Sequence, residues 1–139
     1  MVTRTTRPGM YESVHTMKLD KNTLCFYLST SAAIIEGPIT DFFSVWCMSN
    51  SYAIVSLMDK EISIGFIWIP EHVRRQGRAT TLLEYIKKFG NDLGVYSINL
   101  DDCTDMFCKK TNLYIRSGFS YVSEGHPEMI LITQNSRQI

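Results

Sequence analysis

The sequence lacks the features that mark several large classes of protein. Its 139 residues carry 14 Lys and Arg against 14 Asp and Glu, so the formal charge is zero. General nucleic-acid and membrane-surface binders usually show a basic excess, so this balance argues against both classes. No apolar run approaches the ~20 residues of a membrane span, and residues 1–20 hold no uninterrupted apolar segment of the signal-peptide kind. We therefore expect a soluble, cytoplasmic protein.

Paired cysteines are absent: the four residues are Cys25, Cys47, Cys103 and Cys108, and the nearest two have four residues between them. They form no CxxC pair, and the three histidines are scattered as well. Zinc sites usually bring their ligands in close pairs. We therefore expect no metal site, and reduced thiols that pack as small hydrophobic groups.

The chain also lacks internal repeats, low-complexity tracts and Pro/Gly linkers. Residues 1–139 are therefore predicted to form a single domain, with a loose polar segment at 1–9. Runs rich in β-branched and aromatic residues predict strands. These runs are Met10–Leu19, Thr23–Leu28, Ser51–Met58, Glu61–Ile69, Val95–Leu100, Tyr121-Val122 and Met129–Thr133.

Three segments have the three- and four-residue apolar spacing of helices. The first begins at Pro38, the second begins near Ala79, and the third spans Met106–Ser117. The second is predicted to end at Gly90. Its apolar stripe consists of Ala79, Leu82, Leu83, Ile86 and Phe89. The order of helices and strands indicates an α/β fold, in which helices cover a mixed sheet.

The run Glu61–Ile69 alternates, and this predicts a strand with one core face and one small, polar face that lines a cleft. The predicted core face consists of Ile62, Ile64, Phe66 and Trp68, and the polar face of Glu61, Ser63 and Gly65.

An arginine-rich loop separates this strand from the helix near Ala79. The first N–H groups of a helix lack internal partners and carry the positive end of its dipole. Arginines and a glycine there suit a group such as a pyrophosphate. The loop has neither the Gly-Lys-Ser/Thr ending of a Walker P-loop nor the GxGxxG of a dinucleotide site. The arginines would otherwise be a solvated surface.

Two motifs give this loop a more specific meaning. Arg74-x-x-Gly77-x-Ala79 resembles the Gln/Arg-x-x-Gly-x-Gly/Ala signature of the GCN5-related N-acetyltransferases, and Leu113-Tyr114-x-x-x-Gly118-Phe119 resembles their late Leu-Tyr-x-x-x-Gly-Phe motif. The resemblance covers roughly residues 52–134. It implies a mixed, mostly antiparallel central sheet flanked by helices. The family usually has two N-terminal helices where this sequence predicts one, so the N-terminal helical region is reduced.

The resemblance implies that acetyl-coenzyme A is the co-substrate. Its pyrophosphate would lie on the loop, and its pantetheine amides would pair with the end of the preceding strand, which would splay from Val95–Leu100. The loop residues are Arg74, Arg75, Gln76, Gly77, Arg78, Ala79 and Thr80, and the strand residues are Ile67, Trp68 and Ile69.

The resemblance also implies catalytic roles. Tyr114 would protonate the departing thiolate, and Glu61 matches a glutamate that serves as base in some members. Asp101, Asp102 or a water relay are alternatives for the base, and Glu61 would otherwise be a solvated charge. Tyr114 would otherwise be a core aromatic residue.

These residues lead to one functional hypothesis and two alternatives. The chain is predicted to transfer acetyl to an amine by direct attack in a ternary complex, with a small molecule, peptide or protein as acceptor. The first alternative is a non-catalytic module that keeps the fold and coenzyme A binding. The second, an arginine-dependent nucleic-acid or phosphoprotein binder, conflicts with the zero charge. Exposed strands near the C-terminus would allow a homodimer.

Overall fold

The computed structural model describes residues 13–29, 50–74, 76–102 and 112–135. Within these ranges the chain forms one seven-stranded sheet. The strands are β1 (Ser13–Asp20), β2 (Thr23–Ser29), β3 (Tyr52–Met58), β4 (Glu61–Trp68), β5 (Ser97–Asp101), β6 (Ser120–Tyr121) and β7 (Glu128–Ile132). Their spatial order is β1-β2-β3-β4-β5-β7-β6, and all neighbours are antiparallel except β4 and β5. The predicted mixed, mostly antiparallel sheet is confirmed.

Two α-helices lie in the described residues: α1 (Arg78–Leu93) and α2 (Leu113–Arg116). The predicted helix from Pro38 lies outside the described residues, as does the first half of the predicted Met106–Ser117 helix. In the described part of the predicted Met106–Ser117 helix, the backbone becomes helical only at Leu113. No helix within the described ranges is long and apolar enough to span a membrane.

Helix α1 packs on one face of the sheet because its apolar residues form a single stripe. Leu82, Leu83 and Ile86 are fully buried and belong to the main core cluster, against which Phe89 also packs. The sheet contributes side chains from five strands, namely Phe26, Leu28, Ala53, Val55, Ile62, Ile64, Ile98, Leu100 and Met129. The predicted stripe is confirmed at Leu82, Leu83, Ile86 and Phe89, whereas Ala79 is half-buried and outside this cluster. Each fully buried leucine or isoleucine contributes roughly 1.5–3 kcal/mol.

The predicted end of α1 at Gly90 is wrong, because the helix continues to Leu93 and is capped by Gly94, whose φ is 93°. Gly90 is buried inside the helix for a packing reason. A Cβ there would lie 3.0 Å from Val95 Cγ2 and 3.2 Å from Ile62 Cδ1. Glycine therefore lets α1 approach the sheet closely, and the left-handed conformation that ends a helix falls four residues later.

The prediction that Phe66 and Trp68 share the core face of β4 is also wrong. Ile64 pairs with Val55 while Phe66 pairs with Ile54, so Gly65 is an extra residue in β4. Such a β-bulge reverses the alternation of side chains beyond it. Phe66, 49% exposed, therefore lies beside Tyr52 on the face opposite α1, where a second cluster includes Trp68.

Candidate active site

The parallel strands β4 and β5 diverge beyond the bulge. Their ladder runs from Glu61 and Ser97 to Ile64 and Leu100 and then stops. β4 continues to Trp68 on β3 alone, whereas Asp101 pairs with β7. Among the described strands, the last residues of β4 therefore have a neighbour on one side only. The pairing thus ends where the splay was predicted, and within the described residues the edge of β4 beyond Ile64 has no strand beside it.

The chain turns sharply after this open edge. Pro70 leads into a short 3-10 turn, Glu71–Val73. Arg74 then reaches back: its Nε donates to the Ile69 carbonyl at 2.9 Å, and its guanidinium carbon lies 5.2 Å from the centroid of the Trp68 ring. These two contacts hold an exposed positive charge beside the end of β4.

The first turn of α1 faces the same region without a side-chain cap. Gly77 occupies the cap position with φ 77°, a conformation that favours glycine. The first intrahelical bond runs from the Thr81 N–H to the Gly77 carbonyl at 2.9 Å, and the Thr81 hydroxyl donates to the same carbonyl. The preceding N–H groups carry the positive end of the helix dipole and suit an anion.

Two polar side chains lie beside this turn. Arg78 Nη1 donates to Ser51 Oγ at 3.3 Å, which ties the start of α1 to the start of β3. The side-chain oxygen of Gln76 is buried and accepts no hydrogen bond from the residues described. A buried acceptor left unpaired costs about 1–3 kcal/mol, so this atom favours a bound donor.

The structure therefore gathers most of the predicted cofactor residues at one edge of the sheet. The end of β4 contributes Ile67 and Trp68, and Ile69 follows directly. Arg74 contacts both Trp68 and Ile69. Gln76, Gly77, Arg78, Ala79 and Thr80 follow at the start of α1. Arg75 lies outside the described residues.

Tyr114 lies on α2, which packs against the same core cluster as α1. Its half-buried ring meets Phe119 edge-on, with 6.4 Å between ring centroids. Its backbone N–H donates to the side-chain oxygen of Asn112 at 2.7 Å. The Leu-Tyr-x-x-x-Gly-Phe motif thus forms a compact unit, closed by Gly118 at φ 102°.

Glu61 lies apart from this group. It begins β4, three residues before Ile64, which is the last residue of β4 paired with β5. Its carboxylate accepts a 3.3 Å hydrogen bond from Ser97 Oγ. Three strand residues correspond to about 10 Å. The structure therefore does not bring Glu61 together with the loop.

The two alternative carboxylates differ from each other in their surroundings. Asp101 directly follows Leu100, where β4 and β5 diverge, and is exposed. Asp102 is buried and accepts hydrogen bonds from Asn112 and Tyr121.

The group around Asp102 was not predicted from the sequence, because Asn112 and Tyr121 lie 10 and 19 residues from Asp102 along the chain. One local signal was present, since asparagine directly before Leu113-Tyr114 is a favourable helix N-cap. The described histidine, cysteine and acidic residues contain no group of three that could hold a metal ion.

Comparisons with known proteins identify the fold. No family model and no curated protein sequence matches the chain. Several solved structures, however, have a similar fold. The PaiA N-acetyltransferase of Thermoplasma acidophilum, in complex with coenzyme A, has a TM-score of 0.56 at 9% identity. The match covers 80% of this chain and 61% of that protein.

Two further structures agree. The ribosomal-protein-S18-alanine N-acetyltransferase of Escherichia coli has a TM-score of 0.57 at 19% identity, over 83% of this chain and 72% of its own. Tetrahymena GCN5 has a TM-score of 0.54 at 10% identity, over 84% and 71%. At these identities the likeness concerns the fold, so the chain has the fold of the GCN5-related N-acetyltransferases.

Proposed function

We propose that this chain is an acetyl-coenzyme A-dependent N-acetyltransferase, which transfers acetyl to an amine by direct attack in a ternary complex. One observation carries the proposal. The β4–β5 pairing ends close to the uncapped, glycine-led start of α1, so a strand edge that no described strand pairs lies near helix N–H groups that suit an anion.

The open edge suits the amides of a pantetheine arm. An unpaired strand binds an extended ligand through its backbone N–H and C=O groups, as in strand addition. Ile67, Trp68 and Ile69 are the residues we assign to this role. Ile67 packs against the core cluster and Trp68 against the second one, so this backbone is held on both faces of the sheet.

The start of α1 suits the pyrophosphate. Backbone N–H groups supply donors, Gly77 leaves space, and the arginines add charge. Arg74 is exposed next to the open edge, while Arg78 is half-buried and tied to Ser51. The assigned residues are Arg74, Arg75, Gln76, Gly77, Arg78, Ala79 and Thr80. Gln76 is assigned through its backbone N–H, because its side-chain oxygen and a phosphate oxygen are both acceptors.

The chemistry needs one proton donor and one proton acceptor from this chain. Acetyl-coenzyme A supplies an acyl group already activated as a thioester. Tyr114 donates its phenolic proton to the departing thiolate. A carboxylate accepts the proton that the amine loses. Glu61 is one candidate, and Asp101 is favoured by its place at the divergence of β4 and β5.

Thiol release from acetyl-coenzyme A with a panel of small amines, peptides and a lysine-rich protein tests the activity. We expect release with at least one amine. Tyr114→Phe should slow single turnover by about 100-fold with little change in melting midpoint. Tyr96→Phe is the matched control, because Tyr96 precedes β5 at the end away from the divergence.

Three results would contradict the proposal in different ways. Coenzyme A binding without turnover of any amine would identify a non-catalytic module. Salt-sensitive oligonucleotide binding in place of coenzyme A binding would favour a nucleic-acid binder. A normal Tyr114→Phe rate with a lowered midpoint would make Tyr114 a core residue only.

A further inference from the structure

A buried polar cluster lies just beyond the end of β5. Asp102 is 3% exposed and Asn112 is completely buried. One carboxylate oxygen of Asp102, Oδ2, accepts from Asn112 Nδ2 at 2.6 Å and from the Tyr121 hydroxyl at 2.5 Å. Hydrogen bonds to a carboxylate are stronger than neutral ones, so this cluster joins β5, β6 and the start of α2 firmly.

Asn112 uses both ends of its side-chain amide. Its Nδ2 donates to Asp102, and its Oδ1 accepts from the Tyr114 N–H at 2.7 Å. Reversing the amide would place a donor against the Tyr114 N–H and an oxygen against the carboxylate, so only one orientation satisfies both contacts. A continuous hydrogen-bonded path therefore links the Tyr114 backbone to Asp102.

Helix α2 needs such an external restraint. It has four residues, and its internal bonds include Arg116 N–H to the Asn112 carbonyl and Ser117 N–H to the Leu113 carbonyl, both 3.0 Å. So short a helix is unstable alone. At its other end, Lys87 of α1 donates to the Ser117 carbonyl at 2.8 Å.

The Asp102 backbone is fixed as well, because its N–H donates to the Pro127 carbonyl at 2.8 Å. The path from Tyr114 thus ends on a residue anchored to the segment before β7. Asp102 directly follows β5, the parallel neighbour of β4. The cluster therefore fixes the position of Tyr114 relative to the proposed cleft.

We propose that Asp102, Asn112 and Tyr121 are positioning residues, which hold Tyr114 in the place where it can protonate the departing thiolate. The inference rests on the proposed acetyl transfer. The three residues act through the start of α2 and do not touch the reacting atoms. A buried carboxylate is costly to desolvate, so the contribution of the cluster is geometric precision more than stability.

Two variants disturb the path while keeping shape. Tyr121→Phe removes one donor to Asp102 and keeps the ring. Asn112→Asp keeps the acceptor for the Tyr114 N–H but turns a second carboxylate toward Asp102. Misplacement of a reacting group by a fraction of an ångström to 1 Å slows a reaction by about 10-fold to 100-fold. We expect losses of that size in single-turnover rate, greater for Asn112→Asp.

Two further measurements separate positioning from folding. Coenzyme A affinity should stay within about twofold of the wild type, because the strand edge and the α1 start are untouched. The double variant Asp102→Asn/Asn112→Asp restores a donor facing an acceptor with the direction reversed, and it should recover part of the rate lost in Asn112→Asp. Rates are expressed per folded protein, with Tyr96→Phe as control.

Each outcome decides the inference. Wild-type rates in both single variants, or rate losses matched by equal losses of coenzyme A affinity, would overturn the positioning role and leave the proposed function intact. If Asn112→Asp does not fold, the single-turnover rate and the coenzyme A affinity of Tyr121→Phe decide. Absence of thiol release by the wild type with every amine would overturn the proposed function and this inference with it.

Discussion

Truncation of Leu83 to alanine tests how α1 is placed on the sheet. Leu83 is 0% exposed and belongs to the main core cluster. Removing its branched end loses transfer free energy and leaves a cavity that the packed surroundings fill only in part, which costs about 3–4 kcal/mol in such a site. Because α1 begins at the proposed anion site, its placement also determines the geometry of the cleft.

Urea titration followed by circular dichroism measures this loss directly. We expect a lower midpoint with an unchanged slope, since the surface exposed on unfolding is nearly the same. For a chain of this length, 3–4 kcal/mol corresponds to a melting midpoint lower by about 10–15 °C.

Leu93→Ala is the matched control, because the same substitution is made in the same helix at a residue that is 52% exposed. Its effect should lie within about 0.5 kcal/mol of zero. Equal midpoints for Leu83→Ala and the wild type, or a larger loss for Leu93→Ala, would mean that α1 presents a different face to the sheet.

Three other predictions concern separate parts of the molecule. Gly90→Ala should destabilise by about 1 kcal/mol in urea titration, because overpacking outweighs the usual helix-propensity gain of alanine; a stabilised variant would refute the close approach. At the β1–β2 turn, the Asn22 N–H donates to Asp20 at 2.9 Å and lowers the pKa of that carboxyl below 3.8. The stabilisation that the Asp20 carboxylate contributes is therefore present above about pH 4 and is lost as pH falls through the lowered pKa. The difference in unfolding free energy between the wild type and Asp20→Asn should shrink in acid. A constant difference from pH 7 to 2 would contradict this. For the catalytic base, Asp101→Asn should lower the single-turnover rate by about 100-fold and Glu61→Gln by less. The reverse order would identify Glu61 as the base.

Local patterns predicted most of the secondary structure. The stripe of α1 and the alternation of the strands reflect single-element periodicity, which depends only on neighbouring residues. The two motifs also predicted the neighbourhood of the proposed cleft, since the Gly77 loop joins β4 to α1 and Tyr114 packs on the same core cluster as α1.

The errors arose where distant parts of the chain decide local structure. Gly65 interrupts the strand pattern, which is only a weak signal of a bulge. Pairing with β3 decides that this residue is the extra one, so the reversal at Phe66 and Trp68 was not predicted. Gly90 has the composition of a helix end, but its smallness serves contact with the sheet. The cluster around Asp102 likewise depends on the topology that brings Asn112 and Tyr121 beside β5.

Calorimetric titration of coenzyme A into the wild type, Gly77→Asp and Gly94→Asp tests the central claim most directly. Both glycines have positive φ, 77° and 93°, and lie at opposite ends of α1, which are about 24 Å apart. The wild type and Gly94→Asp should bind in the micromolar range. Gly77→Asp should bind at least about tenfold more weakly, since a carboxylate would lie where the pyrophosphate is proposed. Equal affinity for Gly77→Asp and the wild type would contradict the assigned site.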